Sequence, residues 1–186
     1  MKRVSLLIAV LLLLCGCSDT NAEMDKALLL RRNLLEMNSC NFEVQILADY
    51  GDVTNSFRAA CVADREGNVK FSVLEPDSIR GIAGVIHASG GKFTFSDTAL
   101  AFPLLADGEV SPVSAPYLLM RSLMSGYISA TVQEGAYLHV TVHDSYEENA
   151  LTSEVWLNSD GIPARAEIVW QGRRVLSMDV SSFSIV

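Results

Sequence analysis

Residues 40–73 read CNFEVQILADYGDVTNSFRAACVADREGNVKFSV, and this stretch decides the fold. Apolar and polar side chains alternate through most of it with a period of two, which is typical of strands that bury one face. Tyr50-Gly51-Asp52 and Glu66-Gly67-Asn68 interrupt the alternation with residues that favour turns. The stretch therefore predicts three consecutive antiparallel strands. Their predicted buried faces carry Phe42, Val44, Ile46 and Ala48, then Phe57, Ala59, Cys61 and Ala63, then Val69, Phe71 and Val73.

The same pattern of strands and turns continues on the C-terminal side of this stretch. Ser89-Gly90-Gly91 is a strong hairpin signal between two short strands, and Ser159-Asp160-Gly161 separates two others. Strands do not alternate with helices, so a parallel sheet is not favoured. The sequence predicts one large antiparallel sheet. Beyond the first three strands, we expect strands at 82–87, 92–95, 127–133, 137–143, 151–158, 164–170 and 174–183.

Two segments have the pattern of helices instead. In residues 22–37, acidic residues come first and basic residues follow, as the helix dipole favours, and leucines recur among them. In residues 116–125, Pro116 suits the first helical turn, and Gly126 provides the stop. This second helix is apolar over most of its circumference, which predicts burial rather than a surface position. The predicted fold class is therefore α+β.

The N-terminal residues have the form of an export signal. Lys2 and Arg3 precede an apolar run at 4–14, which is too short to cross the ~30 Å hydrocarbon core as a helix. The run ends in Leu14-Cys15-Gly16-Cys17, which resembles the bacterial lipobox. That resemblance implies cleavage before Cys17 and a diacylglycerol thioether on its sulfur, which would anchor the protein in a membrane. The alternative is a plain signal peptide, in which both cysteines are incidental apolar residues.

These assignments divide the chain into a signal peptide at 1–16, a lipidated polar tether at 17–22 and a single domain at 23–186. Removal of the signal leaves twelve of the 14 basic residues and all 22 acidic residues, a formal net charge of −10. This charge argues against nucleic acid and anionic lipid headgroups as partners. Because no second long apolar run occurs, we expect the mature chain to be held at the membrane through the anchor on Cys17.

Besides Cys17, the mature chain contains Cys40 and Cys61. An extracytoplasmic setting permits a disulfide, so we predict a bond between these two residues. The alternative is two separate buried thiols, because a simple hairpin register sets Cys61 opposite residues near Val44 and leaves Cys40 several residues away. A bulge, or pairing with a non-neighbouring strand, would close that gap. Neither cysteine has a histidine nearby in the sequence, so a zinc site is not predicted.

The sequence contains no catalytic or metal-binding motif. Its histidines are His87, His139 and His143, and the last two share one face of a strand at a separation of ~13 Å, which is too far for one metal ion. The acidic run at 144–149 lacks the alternating ligands and the glycine of a calcium-binding loop. No nucleophile motif, phosphate loop or dinucleotide fingerprint occurs. We therefore expect surface histidines, no metal, no cofactor and no enzymatic activity.

The concave face of a large curved sheet must be either filled or left open. If the helices fill it completely, the result is an ordinary core; if they fit loosely, the same surface becomes a lipid-sized pocket. The sequence leaves both alternatives open. The candidates for lining such a hydrophobic cavity are eight large apolar residues: Phe93, Phe95, Leu119, Met120, Leu123, Met124, Trp156 and Trp170.

The order of elements, and above all the closing hairpin WLNSDGIPARAE at 156–167, resembles the LolA-like superfamily of lipoprotein carriers and lipoprotein-sorting proteins. The resemblance spans the mature chain, particularly to lipid-anchored members from Gram-positive bacteria such as germination lipoproteins. It implies an unclosed antiparallel half-barrel, with helices packed on the concave face, that holds acyl chains or a protein partner without catalysis. A carrier must diffuse, whereas Cys17 would tether this chain, so a fixed binding protein is expected.

Two functional hypotheses follow. The first is a lipid-anchored, non-enzymatic lipoprotein that binds a lipid or a lipoprotein acyl chain in the concave face. The second is a protein-interaction module of the same fold, with a filled cavity, that docks an envelope or spore cell-wall enzyme. Both place the protein on the extracytoplasmic face of the bacterial cell membrane, or on the outer membrane if the host is Gram-negative.

Overall fold

The computed structural model describes residues 19–95, 98–106, 109–147 and 150–186 of the 186-residue chain. The signal peptide and Cys17 assigned from the sequence lie outside these residues. Two α-helices are present in the described part, α1 (Asp19–Glu36) and α2 (Ala115–Ser125), with short 3₁₀ turns at Asp77–Ile79 and Pro112–Ser114. Helix α1 includes residues 19–22, which fall within the tether predicted at 17–22.

The described residues also contain the strands of the sheet. They are β1 (Ser39–Asp49), β2 (Thr54–Asp64), β3 (Val69–Glu75), β4 (Ala83–His87), β5 (Gly90–Phe95), β6 (Thr98–Phe102), β7 (Leu105–Ala106), β8 (Glu109–Val110), β9 (Tyr127–Glu134), β10 (Tyr137–His143), β11 (Thr152–Leu157), β12 (Pro163–Trp170) and β13 (Arg173–Ile185).

Eleven of these strands form one antiparallel sheet in the order β6-β5-β4-β3-β2-β1-β13-β12-β11-β10-β9. Neighbours in the sheet are also neighbours in the sequence, except that β1 pairs with β13 and so joins the first and last strands. β6 and β9 are the edges, and within the described residues they do not pair with each other. The short strands β7 and β8 form a separate hairpin. The predicted large, unclosed antiparallel sheet with helices is confirmed.

The two helices cover one face of the sheet, which we call the concave face; the opposite face is the convex face. Alternate residues of the central strands point to the concave side and are buried, as the period of two predicts. Helix α2 lies across these residues and contacts β2 and β3 in one half of the sheet and β10, β11 and β12 in the other. Leu119 and Met120 of α2 have no exposed surface. Helix α2 therefore fills the middle of the concave face.

Helix α1 lies beside α2 and packs against β9. Its buried residues, among them Leu30 and Leu34, recur at helical spacing. From the flank that faces α2, Arg31 donates hydrogen bonds from Nε to the Leu123 carbonyl at 2.7 Å and from Nη2 to the Gly126 carbonyl at 2.8 Å. The last carbonyls of a helix lack partners within the helix and carry partial negative charge, so this guanidinium caps α2. Burial lowers the pKa of Arg31 below its usual value.

Cys40 and Cys61 are both buried free thiols, so the predicted disulfide is wrong. Strands β1 and β2 pair in a register that places Cys61 opposite Phe42 and Cys40 opposite Ala63. The cysteines are therefore diagonal neighbours on one face, ~7–8 Å apart, whereas a disulfide brings its Cβ atoms to ~3.5–4.5 Å. Burial raises the pKa of the Cys40 thiol to about 12 and also raises the pKa of Cys61. Both thiols stay protonated and unreactive at neutral pH.

Candidate functional site

An open cleft remains on the concave side, at the end of the sheet where α1 passes the β9–β10 and β11–β12 turns. Its volume is about 270 Å³. Leu29 and Leu30 line it from α1, Leu138 and Leu157 line it from the sheet, and Ile162 lines it from the β11–β12 turn. Leu30, Leu138 and Leu157 are almost fully buried and form its apolar floor. We call this opening the α1 cleft.

Polar side chains surround the mouth of the α1 cleft. Lys26 and Asn33 come from α1, Gln133 comes from β9, and Asn158 and Asp160 come from the β11–β12 turn. Most of these side chains are exposed, so they form a rim above the aliphatic floor. An apolar pocket with a few polar groups at its mouth suits a ligand with an apolar body and a polar end.

Hydrogen bonds within the β11–β12 turn hold one wall of the α1 cleft in place. Asn158 Oδ1 accepts from the N–H groups of Asp160 at 2.9 Å and Ile162 at 3.3 Å. The Asn158 N–H donates in turn to the Ile162 carbonyl at 2.9 Å. Gly161 has a φ of +74°, which residues with a Cβ rarely adopt. The turn sequence therefore fixes the position of Ile162 before any ligand arrives.

The α1 cleft was not predicted from the sequence. Leu28, Leu29 and Leu30 are consecutive, and successive residues on a helix are ~100° apart, so one buried stripe does not take all three. Leu30 is buried, whereas Leu28 and Leu29 are 42% and 52% exposed. The leucines that one buried stripe does not accommodate are the signal by which the sequence could have indicated an apolar site beside this helix.

The eight residues predicted to line a cavity do not come together in one site. Leu119, Met120, Leu123 and Met124 are buried in the core. They occupy the space that a lipid-sized pocket would need, because α2 contacts strands in both halves of the sheet. None of the eight is among the described residues that line the α1 cleft.

Three of the remaining candidates lie elsewhere on the sheet. Phe93 is half-buried on β5, with its ring centroid 5.7 Å from that of Phe102. Phe95, two residues further along the same strand, is 43% exposed. Trp170 lies at the end of β12 and is half-buried against the core. These positions are too far apart in the sheet order to enclose one ligand.

Trp156 lies on the convex face, so its predicted place in the cavity is wrong. Strand β11 alternates, and Val155 and Leu157 take the buried positions on either side of Trp156. The indole stacks on His139 with ring centroids 4.4 Å apart and planes 2° apart, and the Arg165 guanidinium lies 5.0 Å from the ring centroid. These residues are directly opposite one another on β10, β11 and β12. They form a cross-strand stack that stabilises the sheet.

Two carboxylates complete this convex cluster. Glu134 accepts a hydrogen bond from Trp156 Nε1 at 2.9 Å and lies 3.0 Å from His139 Nδ1. Glu154 lies 2.8 Å from His139 Nε2 and accepts from the Thr141 hydroxyl at 2.7 Å. The hydrogen bond from Trp156, assisted by His139, holds the pKa of Glu134 below its usual value. These groups bond to one another, which is typical of a structural network on a solvated face.

The histidines do not combine into a site. His139 and His143 lie on the convex face of β10, as predicted, and His143 Nδ1 is 3.0 Å from Thr152 Oγ1. His87 Nδ1 is 3.1 Å from Ser89 Oγ. Across 19–95, 98–106, 109–147 and 150–186, no three His, Cys, Asp or Glu side chains are grouped as metal ligands. In the same ranges, no helix combines the length and apolar character needed to cross a membrane.

Comparison with known proteins finds similar architectures at low sequence identity. A LolA superfamily protein from Nitrosomonas europaea is 12% identical, with 91% of this chain and 94% of that chain covered and a TM-score of 0.46. A DUF1329 family protein from Desulfovibrio piger is 8% identical, with coverages of 89% and 92% and a TM-score of 0.49. The lipoprotein LppX from Mycobacterium tuberculosis is 15% identical, with coverages of 89% and 96% and a TM-score of 0.43. No family model matches the chain, and no curated protein matches its sequence.

Proposed function

We propose that this protein is a lipid-anchored, extracytoplasmic, non-enzymatic binding protein whose α1 cleft takes one apolar chain, such as a single fatty acyl chain. The observation that carries the proposal is the division of the concave face. Helix α2 fills its middle with fully buried side chains, and the apolar opening beside α1 remains. The anchor on Cys17 and the location outside the cytoplasm rest on the lipobox-like sequence and belong to the proposal.

The size of the α1 cleft supports one chain rather than several. Ligand sites usually enclose ~300–1,000 Å³, and a cleft of about 270 Å³ lies just below that range. A lipid with two or three acyl chains would need the space occupied by Leu119 and Met120. Displacing α2 would expose these fully buried side chains to water, which opposes binding of a larger lipid.

The rim of the α1 cleft gives the ligand an orientation. The acyl chain would lie on Leu30, Leu138 and Leu157, and the acidic head group would stay at the mouth. Lys26 is the cationic side chain among the lining residues, and Asn33, about two turns further along α1, offers hydrogen-bond donors. We therefore expect a fatty acid to bind more tightly than the corresponding neutral alcohol.

Displacement of a fluorescent fatty acid by palmitate tests this function. Leu29→Glu and Ile162→Glu each place a carboxylate at the apolar cleft, and we expect both to abolish binding. Leu28→Glu is the matched control, because Leu28 is similarly exposed on α1 but does not line the cleft. Circular dichroism establishes that all three variants fold. Absence of binding by the unaltered protein, or equal binding by the three variants, would overturn the proposal.

The second candidate is the protein-interaction module with a filled cavity. It is supported by the filling of the concave face and by Leu28 and Leu35, which are 42% and 52% exposed and lie two turns apart on α1. Affinity capture from envelope extracts, with Leu28→Glu and Cys17→Ser variants in parallel, tests this function. The candidate fails if no envelope protein is retained by the unaltered chain and lost with Leu28→Glu.

A further inference from the structure

Strand β6 is an open edge of the sheet. Within the described residues it pairs with β5 alone. Thr98 to Ala101 are all exposed, and Leu100 is 52% exposed. In an antiparallel edge strand, alternate residues direct their N–H and C=O groups away from the sheet. As far as the described part of the chain extends, β6 therefore presents a row of unpaired backbone donors and acceptors, which fit another extended strand.

The sequence of β6 contains none of the usual protections of an edge. Thr98-Ala99-Leu100-Ala101-Phe102 has no charged residue and no proline. The opposite edge is different, because α1 packs against β9 and because β9 ends in Glu134. The two edges of the sheet thus differ, because α1 covers the β9 edge and no described element covers the β6 edge.

The concave side of this edge is apolar. Leu100 lies directly opposite Phe93, and Phe102 lies opposite Gly91. The Phe102 ring uses the space that a Cβ on Gly91 would take, since such an atom would be 2.4 Å from Phe102 Cζ. Phe95 lies on the same side of β5 and is 43% exposed. An apolar surface thus continues to the end of the sheet.

The convex side of the edge is sterically open. Ala101 lies opposite Lys92, and Ala99 lies opposite Thr94. Both β6 residues on this side are alanines, so no bulky side chain obstructs an approaching strand.

We propose that β6 is a self-association site, at which two copies of this chain pair antiparallel about a two-fold axis at Leu100. In this register Leu100 faces Leu100 of the second copy, and Ala99 faces Ala101. The concave row then runs Phe93, Leu100, Leu100, Phe93 across the two copies. The same patch serves both partners, as an isologous interface requires.

The charges of β5 and β6 are compatible with this pairing. Lys92 is the charged residue of β5 and β6. In the proposed register, the cross-strand row that contains it runs Lys92, Ala101, then Ala99 and Thr94 of the second copy. The two lysines of the pair therefore stand in separate rows, and no like charges meet. A pairing of five residues per chain buries less surface than the ~1,200–2,000 Å² that stable interfaces bury. We therefore expect a weak dimer, which forms where the proposed anchor on Cys17 concentrates copies of the chain on a membrane.

Cysteine cross-linking of the full chain in intact bacterial cells tests the proposal. Leu100→Cys brings two thiols together on the two-fold axis, within the Cα separation of a disulfide. We expect mild oxidation to give several-fold more covalent dimer than Val132→Cys, the matched control on the β9 edge, where Val132 is also 52% exposed. The unsubstituted chain measures any background from Cys15 and Cys17.

Co-expression fixes the register. Ala99→Cys and Ala101→Cys face each other across the axis, so copies that carry one each should cross-link more than either variant alone. Equal dimer from Leu100→Cys and Val132→Cys would show random collision and overturn the proposal. So would cross-linking of Leu100→Cys to a different protein, detected by the mass of the product, because the edge would then serve a partner other than this chain.

Discussion

The N-terminal half of the sheet, β1 to β6, and the C-terminal half, β9 to β13, are both antiparallel meanders, yet they end differently. The C-terminal half carries α1 along its outer strand and a bonded stack of Trp156, His139, Glu134 and Glu154 on its convex face. The N-terminal half ends in β6, an apolar strand that pairs with β5 and has no described strand on its outer side. The same alternation of apolar and polar residues thus builds both halves. They differ because α1 and the convex polar network belong to the C-terminal half, whereas the outer strand of the N-terminal half has no such cover.

A buried residue of α2, the helix that contacts both halves, should have the largest effect. Leu119 is fully buried in α2, which contacts strands of both halves. We expect Leu119→Ala to lower the free energy of unfolding by about 3 kcal/mol, because it leaves a cavity in a packed core. Chemical denaturation measures the loss, and hydrogen exchange should show weaker protection in both halves. Loss of protection in one half alone would contradict the role of α2 as their common support.

A change confined to the N-terminal half should come next. A Cβ on Gly84 would lie 2.3 Å from the Lys92 carbonyl oxygen and 2.8 Å from the Phe71 ring. We expect Gly84→Ala to cost about 2 kcal/mol, since backbone and ring must shift to admit it. Hydrogen exchange should increase in β3 to β6 and stay unchanged in β9 to β13. Val85→Ala, at the exposed neighbouring position, is the control and should have little effect.

The corresponding test of the C-terminal half is Arg31, which holds α1 to the end of α2. Arg31→Ala removes the bonds to the Leu123 and Gly126 carbonyls, and we expect a loss of about 1.5 kcal/mol. Faster exchange in α1 and β9, with β1 to β6 unchanged, is the expected pattern. Arg32→Ala, at an exposed neighbour, should be silent. Arg31→Lys should recover part of the lost free energy of unfolding, because an ammonium group keeps the positive charge but lacks the planar set of N–H donors of the guanidinium.

The smallest effect concerns the convex stack. Trp156→Phe removes the donor that keeps the pKa of Glu134 low, so this pKa should rise toward its usual value. A carboxyl group whose pKa is lower in the folded state than in the unfolded state stabilises the fold at pH values above the unfolded-state pKa. The greater stability of the unaltered protein over Trp156→Phe should therefore disappear as the pH falls through the Glu134 titration. Carboxyl NMR titration measures the shift. Tyr137 lies directly opposite Glu134 on β10, and no side-chain hydrogen bond between the two is described. Tyr137→Phe should therefore leave the titration unchanged; if it moves the titration equally, the assigned cause is wrong.

The sequence predicts the buried face of a strand well where only every second residue is apolar. In β1, Phe42, Val44 and Ile46 alternate with mostly polar neighbours, and all three are buried as expected. In β11, Val155, Trp156 and Leu157 are all apolar, so either face was a possible buried face. A shift of one residue exchanges the two faces of a strand, which is why Trp156 was placed wrongly.

The features that the sequence did not predict depend on distances between separate elements. The missing disulfide follows from the exact register of β1 and β2, in which Cys40 is opposite Ala63. The α1 cleft forms between Leu29 and a turn at Ile162, more than 100 residues away in the chain. The burial of α2 was predictable from its composition. Whether it filled the concave face or left a pocket depended on packing against strands from both halves, which composition does not specify.

Native mass spectrometry of the protein, purified gently from a bacterial host, measures whether the concave face, whose middle α2 fills, holds one apolar chain beside α1. We expect a ligand-free species and, at most, an adduct with the mass of one single-chain fatty acid, which Leu29→Glu removes and Leu28→Glu retains. An adduct with the mass of a lipid that has two or more acyl chains would show that α2 does not fill the concave face.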